Sequence, residues 1–99
     1  MFCKFLLGQL HFTEEVVEVL ERTPLDLVAR HAVCDFGLAT PRQAKANSYA
    51  LREGGEIRSE YLIDPTHPER GRVTVVTKAG WGETKVAIKP QPRGRATGV

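Results

Sequence analysis

Two short stretches carry residue types that do chemistry in other settings. Cys34-Asp35-Phe36-Gly37 contains the pattern of a metal-holding Asp-Phe-Gly segment, and Val86-Ala87-Ile88-Lys89 that of a phosphate-pairing lysine strand. Together they would suggest phosphoryl transfer, which needs a phosphate-covering loop, a lysine, a catalytic base and a metal-holding Asp converging from two lobes. The order is wrong, because kinases place the lysine strand before the Asp-Phe-Gly segment and this chain places it after. No His-Arg-Asp loop is present, and Gly80 and Gly82 frame only Gly-Trp-Gly. A length of 99 residues suits one domain rather than two lobes. Short motifs match by chance and only their context confirms them, so both stretches are read as structural.

His31 and Cys34 sit three residues apart, a spacing that would allow a thiol–imidazole pair on one helix. No third group or oxyanion motif accompanies them, and a buried or half-buried structural role is expected for both. A single His-x-x-Cys is also no zinc site, because His11 and His67 lie in dissimilar contexts. Cys3 and Cys34 would pair only in an oxidising compartment, and nothing else points to export, so reduced thiols are expected. Neither catalytic group, cofactor nor metal site is nominated, and the chain is read as non-enzymatic.

A content of 41% hydrophobic and 26% charged residues is that of a globular chain rather than a disordered one. The longest apolar runs, near Phe5-Leu6-Leu7 and from Val73 to Val76, fall short of the roughly 20 residues of a transmembrane helix. No small-residue cleavage site follows the first run, and a cytoplasmic location without membrane contact is expected. The net charge of +2 comes from Arg93 and Arg95, which leaves 12 bases against 12 acids in residues 1–89. A neutral domain over 1–89 with a flexible basic tail over 90–99 is a weak nucleic-acid signature, since phosphate binding needs cations clustered on one face.

The elements that would position these groups can be read from periodicity and punctuation. Residues 2–12 look extended, as an N-terminal segment or an edge strand, and Thr13 can cap a helix whose first turn holds Glu14 and Glu15. Val16, Val17, Val19 and Leu20 give that helix an apolar stripe, with Glu14, Glu15, Glu18 and Glu21 on a face read as solvated. Thr23-Pro24 starts a second, shorter helix with Leu25, Val28, Ala29 and Ala32 inward. Arg30 and His31 then fall at its C-terminal end, where cations favour the dipole, and Gly37 breaks it. Thr40-Pro41-Arg42-Gln43 is a capping box opening a third helix that runs to Gly54-Gly55, with Asn47 on the side of Ala44 and Leu51.

After Gly55 the period changes from 3.6 to 2. Ile57, Ser59, Tyr61 and Ile63 alternate with Arg58, Glu60 and Leu62; a polar turn follows over 64–71, then strands over Val73 to Thr77 and Thr84 to Ile88. The expected fold is therefore α+β: an extended N-terminal segment, two to three short helices, and a three-stranded antiparallel meander with helices packed on one face. Trp81, between two glycines at a hairpin tip, is either an exposed partner anchor or a lid folded over the core.

The succession Gly8-Gln9, Thr13, Leu20-Glu21, Ala29-Arg30-His31, Asp35-Phe36-Gly37, Asn47, Ala50-Leu51, Gly54, Ser59, Tyr61, Thr77-Lys78-Ala79, Thr84 and Pro90 resembles a family of small proteins. These are carried by plasmids and integrative elements of proteobacteria and are often labelled as a type I restriction-modification subunit. The resemblance covers about residues 8–90 and implies that the Asp-aromatic-Gly after Arg-His is structural, with Trp more usual than Phe. The chain departs from the pattern in its longer 64–72 loop, in Thr74 and in its basic tail. Methyltransferase machinery does not fit in 99 residues, so that label is set aside. The expected function is that of a mobile-element accessory protein binding a host or element-encoded protein or nucleoprotein complex, as an anti-CRISPR or anti-restriction inhibitor. The alternative is a small DNA- or RNA-binding regulator. Trp81 is the expected partner anchor of the first reading, and Arg70, Arg72, Lys78, Lys85 and Lys89 on the sheet, with Trp81 stacking, are the expected contacts of the second.

Overall fold

The period-2 segments form the framework. In the computed structural model, which describes residues 5–89, they make a sheet in the order β1-β4-β3-β2 from strands Gln9–Phe12 (β1), Ile57–Leu62 (β2), Arg72–Thr77 (β3) and Glu83–Lys89 (β4). Cys3 and the tail expected over 90–99 lie outside the described residues. The antiparallel meander β2-β3-β4 is present, but the sheet has four strands and is mixed. β1 pairs with β4 in parallel, Leu10 against Thr84 and Phe12 against Val86, and so corrects the three-stranded expectation. The Gln9 amide donates to the Gly82 carbonyl at 2.9 Å, and the Thr84 hydroxyl to the Leu7 carbonyl at 2.6 Å.

Helices Glu14–Leu20 (α1) and Leu25–Ala32 (α2) cover the inner sheet face. Val16 and Leu20 of α1 and Leu27 and Val28 of α2 bury against Tyr61, Val73, Val75 and Val86. Residue by residue, the inward set of β2 and β3 is buried and the outward set is not. Burial of several such side chains at about 1.5–3 kcal/mol each is the main force holding helices to sheet. The helix starts differ in detail from the sequence reading. Thr13 occupies the cap position without a side-chain cap bond, and Pro24, rather than Thr23, is the cap of α2. Helix α2 also stops before Gly37, because Cys34 already takes a left-handed conformation, φ 68°.

Helix Pro41–Glu53 (α3) begins where the capping signal places it: the Thr40 hydroxyl accepts from the Gln43 amide at 3.0 Å. Gln43 does not complete the box, because its side-chain amide turns forward to Asn47 Oδ1 at 2.9 Å. Asn47, fully buried, holds α3 to the free edge of β2: its Nδ2 donates to the Arg58 carbonyl at 2.8 Å and its Oδ1 accepts from the Arg58 amide at 3.0 Å. Two residues on, Glu60 exchanges backbone bonds with Phe36 and Leu38. An edge that would otherwise invite pairing with another chain is closed at both places. Thr40→Ala should lower stability by about 1 kcal/mol while the sheet stays assembled, which thermal melting with far-UV circular dichroism reads directly.

Candidate functional site

The kinase-like residues are consumed by architecture. The Asp35 carboxylate accepts from the Gly37 amide and from Arg30, whose Nε lies 2.7 Å away. The Arg30 guanidinium sits 4.6 Å from the Tyr61 ring centre, and the Tyr61 hydroxyl donates to the Asp35 carbonyl at 2.6 Å. The Arg30 hydrogen bond holds the Asp35 carboxyl below its ordinary pKa. Val86 of the lysine strand is core, and Lys89 reaches the Glu60 carboxylate at 2.9 Å.

His31 lies wholly inside, where it joins α2 to three strands. Its Nδ1 is 2.6 Å from Ser59 Oγ and its Nε2 2.9 Å from Thr77 Oγ1; Thr77 Oγ1 is 2.7 Å from Thr84 Oγ1, and all four residues are fully buried. Proton accounting sets the direction of the chain. Thr84 gives its only proton to the Leu7 carbonyl, so Thr77 donates to Thr84 and must accept from His31 Nε2–H. The remaining Nδ1 lone pair accepts from Ser59, so this assignment makes the ring the neutral Nε2–H tautomer. The buried structural role expected for His31 is found, its reading as a dipole-favouring cation is corrected, and both ring nitrogens are engaged by hydroxyls.

Burial lowers the His31 pKa from 6.5 to about 4. Between those values the unfolded chain binds a proton that the folded chain refuses, so acid favours unfolding. The stability contributed by neutral His31 is complete above about pH 6.5 and is lost as pH falls towards 4, at no more than about 1.4 kcal/mol per unit and about 3 kcal/mol in all. Urea titrations across pH 4–7 should show that slope, and His31→Gln, which keeps one donor and one acceptor, should flatten it. Equal slopes in the two proteins would refute the buried neutral ring.

The residues expected to contact a partner separate into four places. Arg72, Lys85 and Lys89 do share the outer sheet face, joined there by Arg58 and Glu60. Across the strands, Arg58, Val76, Lys85 and His11 form one row, Glu60, Thr74 and Ala87 the next, and Leu62, Arg72 and Lys89 a third. Lys78 lies just past the end of β3 and pairs with Glu83 at 2.9 Å. Arg70 is elsewhere, tying the 64–71 turn to α1 through the Val19 carbonyl at 3.1 Å and reaching Asp64 at 3.6 Å.

Trp81 folds back over the core rather than standing open on both faces. Its ring packs on Phe5 with centres 5.6 Å apart, and its Nε1 donates to the Gly55 carbonyl at 2.8 Å. Arg58 and Glu60 were not among the sequence candidates, although the same period-2 alternation that placed Ser59 inward places both outward. Burial alone would raise the Glu60 carboxyl, but hydrogen bonds from Lys89 and Arg72 outweigh it and hold the group below its ordinary pKa.

Among the described residues no cluster of His, Cys, Asp or Glu has the arrangement to hold a metal ion, and no helix is long and apolar enough to cross a membrane. No family model, curated protein or solved structure matches the chain.

Proposed function

We propose that the protein is a non-enzymatic accessory protein of a mobile genetic element, which docks its outer sheet face on a host or element-encoded protein or nucleoprotein complex. Inhibition of a CRISPR or restriction system is the concrete form of that role. The observation that supports docking is the asymmetry of the sheet: helices bury one face, while on the other the outward residues of β2 and β3 are only partly buried and Lys85, Ala87 and Lys89 of β4 are exposed. A strip of Leu62, Thr74, Val76 and Ala87 among charges has the mixed composition of a protein interface. Lys85 forms no salt bridge among the described residues and offers a charge for a partner acid. The setting comes from the resemblance in the sequence.

A second reading, a small DNA- or RNA-binding regulator, draws on Arg58, Arg72, Lys85 and Lys89 sharing that face. It is weakened by Glu60, which pairs with both Arg72 and Lys89, and by the placement of Trp81 away from the face, where it cannot stack bases beside them.

The test is phage plating on a bacterial host with an active CRISPR or restriction system. Expression of the protein should raise plating efficiency, and the double variant Lys85→Glu, Ala87→Glu should abolish the rise with an unchanged melting temperature. No rise with the unaltered protein, or full activity of the folded double variant, would overturn the reading. Binding to nucleic acid that weakens steeply with salt would favour the second reading instead.

A further inference from the structure

A cleft of about 220 Å³ opens on the outer face where the first turn of α3 meets the sheet. Thr40 and Gln43 line one side, and Arg58, Glu60, Arg72 and Lys89 the other. The four charged residues come from three successive strands, with three cations against one carboxylate. Glu60 is mostly shielded, its side chain 15% exposed, and each of its oxygens holds one cation: Oε1 to Arg72 Nη1 and Oε2 to Lys89 Nζ, both at 2.9 Å.

The cations are not saturated by this arrangement. An arginine carries five N–H donors and a lysine three. Arg72 and Lys89 each direct one side-chain hydrogen bond to Glu60, and Arg58 directs one to Glu56 at 3.3 Å; among the described residues they make no others. Arg72 and Lys89 also remain 41% and 51% exposed, so their remaining donors are accessible to a ligand. Glu60 holds Arg72 and Lys89 side by side, at a separation their mutual repulsion would otherwise oppose, and it leaves Arg58 outside the bridge. A planar carboxylate has two oxygens and can satisfy two such cations. A phosphate monoester carries close to two negative charges and three accepting oxygens, which matches the number of cations.

We propose that this cleft binds the dianionic oxyanion of a phosphate, held by Arg58, Arg72 and Lys89, with Glu60 positioning the last two. The proposal goes beyond the docking reading and does not depend on it. Two sources present the same chemistry, free inorganic phosphate and a phosphorylated side chain of another protein.

The full chain, labelled with ¹⁵N, would be titrated with inorganic phosphate, with a phosphoserine peptide, and with sodium chloride at matched ionic strength. Backbone and guanidinium signals of Gln43, Arg58 and Arg72 should shift together and saturate with the two phosphate probes, and the tighter probe identifies the source. Arg72→Gln should weaken binding by at least about tenfold, the scale of one lost charge-assisted hydrogen bond. Lys89→Gln, at the end of its strand, serves as a second variant should the first fold poorly. Glu60→Gln, which releases Arg72 and Lys89 from their shared carboxylate, should weaken phosphate binding although it removes a negative charge, and binding strengthened by it would show that Glu60 competes with the ligand and does not position the cations. Equal shifts with chloride, no saturable shift with either phosphate probe, or undiminished binding by both folded cation variants would overturn the site.

Discussion

His31→Ala should destabilise the protein by about 4 kcal/mol, the sum of a cavity and of hydroxyls left without partners. The ring is fully buried, touches Phe5 edge-on with centres 5.2 Å apart, and uses both nitrogens. Without it Ser59 loses its acceptor and Thr77 its donor, in sites that are also fully buried. For domains whose whole stability is typically about 5–15 kcal/mol, such a loss removes much of the folded population's margin. Chemical denaturation at pH 7 measures it, and a change below about 1 kcal/mol would mean that the chain from Ser59 to Leu7 holds little together. His31→Gln should recover part of the loss, because one donor and one acceptor can be restored.

Gly37→Ala should cost a similar amount, about 4 kcal/mol, by a different route. Gly37 has φ 64°, and a Cβ there would overlap the Glu60 carbonyl oxygen and the Tyr61 ring. Backbone cannot yield as a flexible side chain does, because Glu60 is bonded to Leu38 at 2.7 Å and to Phe36 at 3.2 Å. Relief requires the 36–38 segment to leave β2, which uncovers a strand edge, so the variant should aggregate on heating as well as melt earlier. Gly54→Ala is the control: it has a similar φ of 77° but meets nothing within 4 Å, and should cost only about 1 kcal/mol. Equal losses in the two variants would show that conformation alone, and not the close approach to Glu60, makes Gly37 necessary. The same contact explains the Asp-Phe-Gly pattern without catalysis: Asp35 fixes the turn and Gly37 lets it touch the strand.

The candidate surface was legible in part. Arg72, Lys85 and Lys89 share one face because a strand alternates its side chains, whatever it packs against. Arg70 was grouped with them by proximity in sequence, yet the turn that contains it bends towards α1. Trp81 was legible as an aromatic at a hairpin tip but not as to its direction, since that is decided by Phe5 and the Gly55 carbonyl, which come from distant parts of the chain.

By itself the sequence determined what is local: the start of α3 at Thr40-Pro41, its stop at Gly54, the three meander strands and their buried faces. These follow from hydrogen bonds and periodicities closed within a few residues, which any folded context preserves. The tertiary structure decided what depends on distant partners. β1 pairs with β4 across more than seventy residues of chain, and a parallel pair of this kind leaves no turn signal. His31 becomes a neutral buried link only because Ser59 and Thr77 close around it, and Glu60 becomes a clamp only because β3 and β4 bring Arg72 and Lys89 to its two oxygens. Their roles arise from desolvation and from charges meeting across strands, quantities that have no value until the chain has folded.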